Sequence, residues 1–519
     1  VPVGAEWGRR IRRGAAGVCL ALLLGLLPSP SAGEAEPPEG PSPPLNLWPV
    51  YDQRVDPVDE AAAQSSLGPL FFSTRATRAG WREGGFRPFF TWREEPERQK
   101  REWQFLYPLA QYTENEGDWE FQFLYLLNLR GEGSVAAERE ERADFFPFYL
   151  SGRREDGQTY RWIFPFGGTV YDRLGRDEIE IRLFPFYLRS VRLGAERSWF
   201  PWPFLSRLRG EERSGFAVWP FYGQEEWRGH YQRRYALWPL LLHQRTGLEG
   251  DNPEESLAVL PFYFSQRSPE RDLTVVLWPF FSHLEDRKRG YEQWEFPWPL
   301  FAIARGEERQ ITRFLPFFAM ERRVLRNEFL LRELVSETTA ILFPLYSRTV
   351  DATANSRAER ERILWWLYSD LRETGSDGDT RRIDGWPLFR YVRDREGAQV
   401  FQTLALLEAF LPGNELVERN YSPLWALYTY RRSPSGNAVH SLLWNLVRHE
   451  RRPEGYRLEV LGPLLSFEER DGASRFSFLG GLFACGRDGE SRSVELLGMT
   501  ARWMDPPPVR VAATLGGDR

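Results

Sequence analysis

Leu277-Trp278-Pro279-Phe280-Phe281 is the stretch that decides the fold, because it is not alone. Leu183-Phe184-Pro185-Phe186-Tyr187, Leu342-Phe343-Pro344-Leu345-Tyr346 and Leu47-Trp48-Pro49-Val50-Tyr51 repeat its chemistry, as do Phe145-Phe146-Pro147-Phe148-Tyr149 and Val218-Trp219-Pro220-Phe221-Tyr222. The unit is apolar, aromatic, Pro, apolar, aromatic. Polar tips such as Arg153-Arg154-Glu155-Asp156-Gly157 and Arg209-Gly210-Glu211-Glu212-Arg213 separate the copies. The anchors are Pro49, Pro147, Pro165, Pro185, Pro203, Pro220, Pro239, Pro261, Pro279, Pro299, Pro316, Pro344 and Pro387. Leu126, Trp366, Leu406, Ala426, Asn445, Gly481 and Gly498 stand where degenerate copies place the proline. About twenty-four anchors recur at roughly twenty residues, a spacing typical of repeat architectures.

The units have strand chemistry. Leu273-Thr274-Val275-Val276-Leu277-Trp278 is β-branched and aromatic, and Gly-bearing charged turns bound it. Apolar residues come in blocks without the i, i+3, i+4 stripe of a helix. Met320 to Ser336, in the longest gap, is the exception and reads as a short helix. Two all-β arrangements fit: a solenoid with one coil per unit, or an antiparallel meander with one strand per unit. Spacings between anchors alternate longer and shorter through most of the chain, which favours the meander with long loops at one end. Closure into a barrel removes the edges of such a sheet, and outer-membrane barrels pair short turns with long outer loops. The expectation is therefore an all-β antiparallel meander of about twenty-four strands closed as a transmembrane β-barrel. The alternative is a soluble β-repeat or solenoid. Three features oppose the barrel. Proline inside a strand loses a ladder bond. Between Leu257 and Ser265 both faces look apolar, with Val259, Pro261 and Tyr263 on one and Leu260, Phe262 and Phe264 on the other. The chain as given ends in Leu515-Gly516-Gly517-Asp518-Arg519 and not in an aromatic residue.

Arg9-Arg10-Ile11-Arg12-Arg13, an apolar run from Ala15 to Leu27 and the small residues Pro28 to Gly33 read as a secretory signal. The expected organisation is a signal peptide over 1–33, a Pro-rich linker over 34–46, a β-repeat domain over 47–500 and a tail over 501–519. Removing the signal removes Cys19 and leaves Cys485 without a partner for a disulfide. No apolar run after the signal is long enough for a spanning helix. Net charge is −5, and acids lie beside the arginines throughout. No basic stripe forms, which argues against nucleic acid as a partner.

The quoted units resemble those of exported Gram-negative proteins with Trp-Pro-Phe-Phe or Phe-Pro-Phe-Tyr repeats. The resemblance covers residues 47 to about 500 and brings no activity with it. Leu411-Pro412-Gly413-Asn414-Glu415 and Arg419-Asn420-Tyr421-Ser422-Pro423 break the pattern and mark a specialised segment.

Motifs of known chemistry are missing. No nucleophile elbow, Walker loop, Rossmann glycine pattern or His-Glu-x-x-His occurs. His230, His243, His283, His440 and His449 lack metal-ligand spacing and read as exposed polar positions. Glu211-Glu212 and Glu225-Glu226 have the residue types of a glycosidase pair but read as solvated turns. Asp377-Gly378-Asp379-Thr380 resembles part of a calcium loop without its closing Glu, and Asp251-Asn252-Pro253-Glu254-Glu255 reads as an outer loop. Regular recurrence of Trp, Phe and Tyr fits a packed or lipid-facing band better than a sugar site. Neither a catalytic, a cofactor nor a metal residue is expected, and the chain reads as no enzyme. The expected role is that of an exported outer-membrane barrel, a channel or an envelope scaffold, with outer-membrane lipid as partner. A periplasmic or cell-surface β-repeat that binds a polymer or a protein is the alternative.

Overall fold

The computed structural model describes residues 45–58, 61–76, 80–131, 142–154, 157–327, 332–462, 464–489 and 491–504. The expected signal peptide, the linker up to residue 44 and residues 505–519 lie outside the described residues. From Leu45 to Met504 the chain is one 46-stranded antiparallel sheet in which each strand pairs with the next in sequence. The meander is therefore as expected, but the count of about twenty-four strands is not. A unit contributes two strands of mostly five to seven residues, one on each side of its proline turn, except that the positions of Leu406 and Ala426 fall in a single connection.

The reason is where the proline sits. Phe146-Pro147-Phe148 is a turn between Phe145 and Tyr149, and Leu277-Trp278-Pro279-Phe280 is a turn between Val276 and Phe281. Proline in a turn sacrifices no ladder bond, which removes the objection to Pro within a strand. All thirteen proline anchors follow cis peptide bonds, as Phe146-Pro147 and Trp278-Pro279 do. Three-residue and four-residue turns alternate along much of the chain. Leu at the first place of a four-residue turn takes a left-handed conformation (φ 48° at Leu237, 49° at Leu277). A side chain not branched at Cβ tolerates that region better than Val or Ile. At the opposite ends the tips close tightly. Leu174-Gly175 and Leu193-Gly194 have positive φ at both residues, the geometry of a type I′ hairpin turn.

Proline turns thus all lie along one edge of the sheet and polar tips along the other. Leu47 faces Tyr51, Tyr51 faces Ser66, Ser66 faces Phe71, and the row continues to Leu496 and Met499 with no net shift. Adjacent turns are also bonded to each other: Trp238 N donates to Pro220 O (2.7 Å), Leu277 N to Phe262 O (2.7 Å) and Trp298 N to Pro279 O (2.8 Å).

Because side chains alternate, the two faces separate cleanly. One row holds Phe301, Phe314, Phe318, Ile341, Tyr346, Ile363 and Tyr368. Its neighbour on the opposite face holds Ala302, Arg313, Ala319, Ala340, Ser347, Arg362 and Ser369. Ile341 is 51% exposed and Ala340 only 5%. In Leu257 to Ser265, Leu260, Pro261 and Phe262 form the turn and belong to neither face, while Val259 and Tyr263 lie on the outer face and Ala258 and Phe264 on the inner one. The described residues of Met320 to Ser336 are strand and not helix. They fall in the longest hairpin, Phe318–Asn327 with Arg332–Ile341, whose Glu and Arg residues face each other across strands.

Hydrogen bonds do not close the sheet into a ring. Met499–Met504 pairs only with Ser491–Leu496 among the described residues, and all six of its residues are exposed. Residues near the two ends of the sheet nevertheless meet, small-residue face to small-residue face. Asn46 Nδ2 donates to Glu459 Oε2 (2.9 Å), and Asn445 Nδ2 to Asp52 Oδ2 (2.7 Å). Elsewhere buried apolar clusters are small: Leu150, Tyr160, Val170 and Ile179 form one, and Ala302, Ala304 and Ile311 another. Both lie on that same inner face.

Candidate functional surface

Two features stand out once faces and edges are assigned: an apolar rim and a buried polar seam. The rim is built by the turn itself. After each cis-proline comes an apolar residue, and Phe166, Phe221 and Phe262 are 60–70% exposed. Behind the turns runs the outer row of Phe, Ile, Val, Leu and Tyr. Stacking fixes the rings across strands, as in Phe301 on Phe314 (4.5 Å), Phe71 on Phe86 (4.6 Å) and Phe281 on Phe296 (4.7 Å). Every predicted anchor from Pro49 to Pro387 lies on this rim, so the anchors mark one continuous surface. A contiguous exposed apolar band of this length signals an interaction surface.

The inner face is polar or small in most strands. Thr91, Gln104, Gln111, Gln122 and Asn128 stand side by side across successive strands. Around the seam the polarity becomes charge. Arg54 reaches Asp52 on its own strand, Glu459 at 3.1 Å and Glu450 at 3.8 Å. Burial pushes the Glu459 carboxyl up, but Arg54 and then Arg457 outweigh it and hold the group below the ordinary carboxylate range. Asp56 takes Arg431 and Arg448, the latter at 3.4 Å.

The pattern-breaking segment supplies the rest of the seam. It carries two short helices, Glu415–Asn420 and Ser422–Trp425, the first capped by Asn414 Oδ1 accepting from Leu416 N and Val417 N (both 3.0 Å). Arg419 enters the inner face near the start of the sheet, reaching Glu102 and Gln104 (3.3 and 3.2 Å) and Glu83 (3.8 Å). Glu408, 1% exposed, accepts from Ser422 Oγ, Trp425 Nε1, Gln402 Nε2 and Leu407 N. Burial raises its carboxyl, yet these donors and Arg390 hold it low. With four donors on one carboxylate, three of them on Oε1, the arrangement fastens the segment to the sheet.

The residues screened for chemistry scatter. Glu212 accepts from Trp227 Nε1 (3.3 Å) at a tip, and Glu225 is taken by Arg197 and Tyr231. Asp377 and Asp379 sit on a turn where Arg395 approaches Asp377 at 3.9 Å. Asn252 Oδ1 accepts from Glu270 N. His243 and His283 each bond a glutamate at 2.8 Å. His440 and His449 do meet, with ring centroids 5.5 Å apart, so their separation in sequence hid a cross-strand pair. Among the described residues no group of three or more His, Cys, Asp or Glu could hold a metal ion.

Of the seam residues only Arg419 lay in a stretch that the sequence marked, and Arg54, Asp56, Glu408, Arg448 and Glu459 were not singled out. Their only signal was charge at an inner-face position, legible once the strand register was known. Neither a protein-family model nor a curated protein matches the chain.

Proposed function

We propose that this protein is a non-enzymatic envelope scaffold that holds itself on a membrane, the outer membrane in view of its export signal, through the apolar rim and outer face. The single observation that carries the reading is the exposed apolar band formed by the proline turns and the first row of the outer face, set against an inner face that is sheltered and polar or small in most strands. That is the polarity a lipid-contacting β structure needs, and the inverse of a soluble sheet, which buries its apolar side. A strand of six residues rises about 20 Å, short of the 9–11 tilted residues of a membrane-crossing strand. Attachment therefore fits this chain better than passage through a pore.

Fractionation tests the proposal. Membranes from cells making the full chain are washed with alkaline carbonate and then extracted with detergent. The expected result is retention through the wash and recovery in detergent. Release with the soluble contents overturns the reading in favour of a soluble β-repeat.

A further inference from the structure

We infer that the rim enters a single leaflet of a phospholipid bilayer, with the proline turns near the midplane and the charged tips in water on one side. This rests on the proposed membrane attachment and adds depth and sidedness to it.

The first support is a polarity gradient along the outer face. The turns and the first strand residues are mostly apolar, with Ser66, Arg182 and Thr403 the polar members of the first row. Two residues further from the rim, rings with a polar handle are common, as at Trp103, Tyr112, His243, His283, Trp294 and Tyr430. Two residues further again, charges prevail: Arg101, Glu114, Arg245, Glu255 and Glu292. The handles point toward these charges. Tyr112 Oη donates to Glu114 (3.3 Å), His243 Nε2 meets Glu255 (2.8 Å), and Trp294 Nε1 donates to Glu292 (3.1 Å). Rings of this kind gather where hydrocarbon gives way to headgroups. At about 3.3 Å per residue the ring level lies roughly 13 Å from the turn tips, close to half of the ~30 Å hydrocarbon thickness.

The second support is the backbone. A hairpin turn usually leaves amides and carbonyls to water, which hydrocarbon does not supply. Here neighbouring turns bond each other, as between Trp238 and Pro220, Leu277 and Phe262, and Trp298 and Pro279. Leu260 N to Leu240 O (2.8 Å) continues the pattern, and Phe280 N to Leu277 O (2.8 Å) closes a turn on itself. Proline removes one donor more from each turn. The third support is level: with no net shift along the row, the turns keep one height and can share one depth.

The test uses the full chain with Cys19→Ser and Cys485→Ser, reconstituted into phosphatidylethanolamine–phosphatidylglycerol vesicles. Single cysteines replace Phe280 on the rim and Arg289 on a polar tip. A membrane-impermeant maleimide is applied outside or trapped inside, and a fluorophore at each site is quenched by lipids spin-labelled near the glycerol or near the chain ends. The expected result is labelling at 289 from one side only, protection of 280 from both sides, and stronger quenching of 280 by the chain-end label. Labelling of 280 from the side opposite 289 overturns the single-leaflet inference while leaving membrane attachment standing. Protein that does not float with the vesicles fails the attachment itself.

Discussion

Replacing Arg54 with methionine should open the seam in a way that depends on pH with a sign the structure dictates. The Arg54 side chain is 5% exposed, and its partners Asp52, Glu450 and Glu459 are 9%, 8% and 5% exposed. Removing the cation leaves three carboxylates facing one another without it. Breaking a buried ion pair on one side costs roughly 3–5 kcal/mol, a shift of about a hundredfold to a few thousandfold in an opening equilibrium. In the native protein Glu459 has a depressed pKa, so its contribution is present above its unfolded value near 4.3 and is lost as pH falls through the folded value. In Arg54→Met, Glu459 loses that partner and its folded pKa rises. The variant should then be worst near neutrality and approach the native protein below about pH 4–5, where the acids are protonated. Long strand arrays need not unfold in one step, so amide exchange of Leu45–Val55 and Val447–Val460 is the appropriate readout. Unchanged protection at pH 7, or a defect that grows on acidification, would refute the reasoning. Adding Glu459→Leu should recover part of the protection.

Leu277, at φ 49° and 47% exposed, should accept glycine with little loss or a gain of up to about 1 kcal/mol, whereas Leu277→Val should cost about 1–2 kcal/mol. Local exchange of Arg271–Asp286 separates the two. Asn414→Ala removes the acceptor for two amides and should destabilise the Glu415–Asn420 helix by about 1 kcal/mol, read by exchange at Leu416 and Val417. The depressed Glu408 carboxyl should keep the helical segment docked above the ordinary carboxylate range and release it as pH falls through the folded value. Glu408→Gln should cost about 1–3 kcal/mol at neutral pH and abolish that acid dependence, as limited proteolysis of residues 409–427 would report. Gly168→Ala should be strongly destabilising, because at φ 137° its added Cβ would stand 2.1 Å from Arg161 O.

Much of this fold is written in the repeat and much is hidden by it. Recurrence of aromatic-Pro-apolar blocks, Gly-bearing polar tips and β-branched flanks led to an antiparallel all-β meander, and the breaks at Leu411 and Arg419 marked the segment that became helical. The number of strands was lost at one residue. Apolar blocks such as Val276-Leu277-Trp278-Pro279-Phe280-Phe281 look like one continuous strand, because the turn is as apolar as the strands it joins. Turns are normally recognised by Gly, Asn and Asp, and here those residues mark only the opposite edge. The same ambiguity made Met320 to Ser336 resemble a helix, since a long hairpin with Arg–Glu pairing carries helix-forming residues. Face assignment was equally hidden: counting through Leu277-Trp278-Pro279-Phe280 as extended chain puts Val276 and Phe281 on opposite faces, although they are cross-strand partners on one. The seam joins residues about 400 apart, and no local pattern announces such contacts.

The claim beneath all of this is that consecutive proline turns occupy one edge, two strands apart. Spin labels at Phe221→Cys and Phe280→Cys, in the Cys19→Ser and Cys485→Ser background, measure it directly. Those turns are separated by six strands, so pulsed dipolar spectroscopy should give about 29 Å. A distance near 14 Å would mean one strand per unit and would contradict the account.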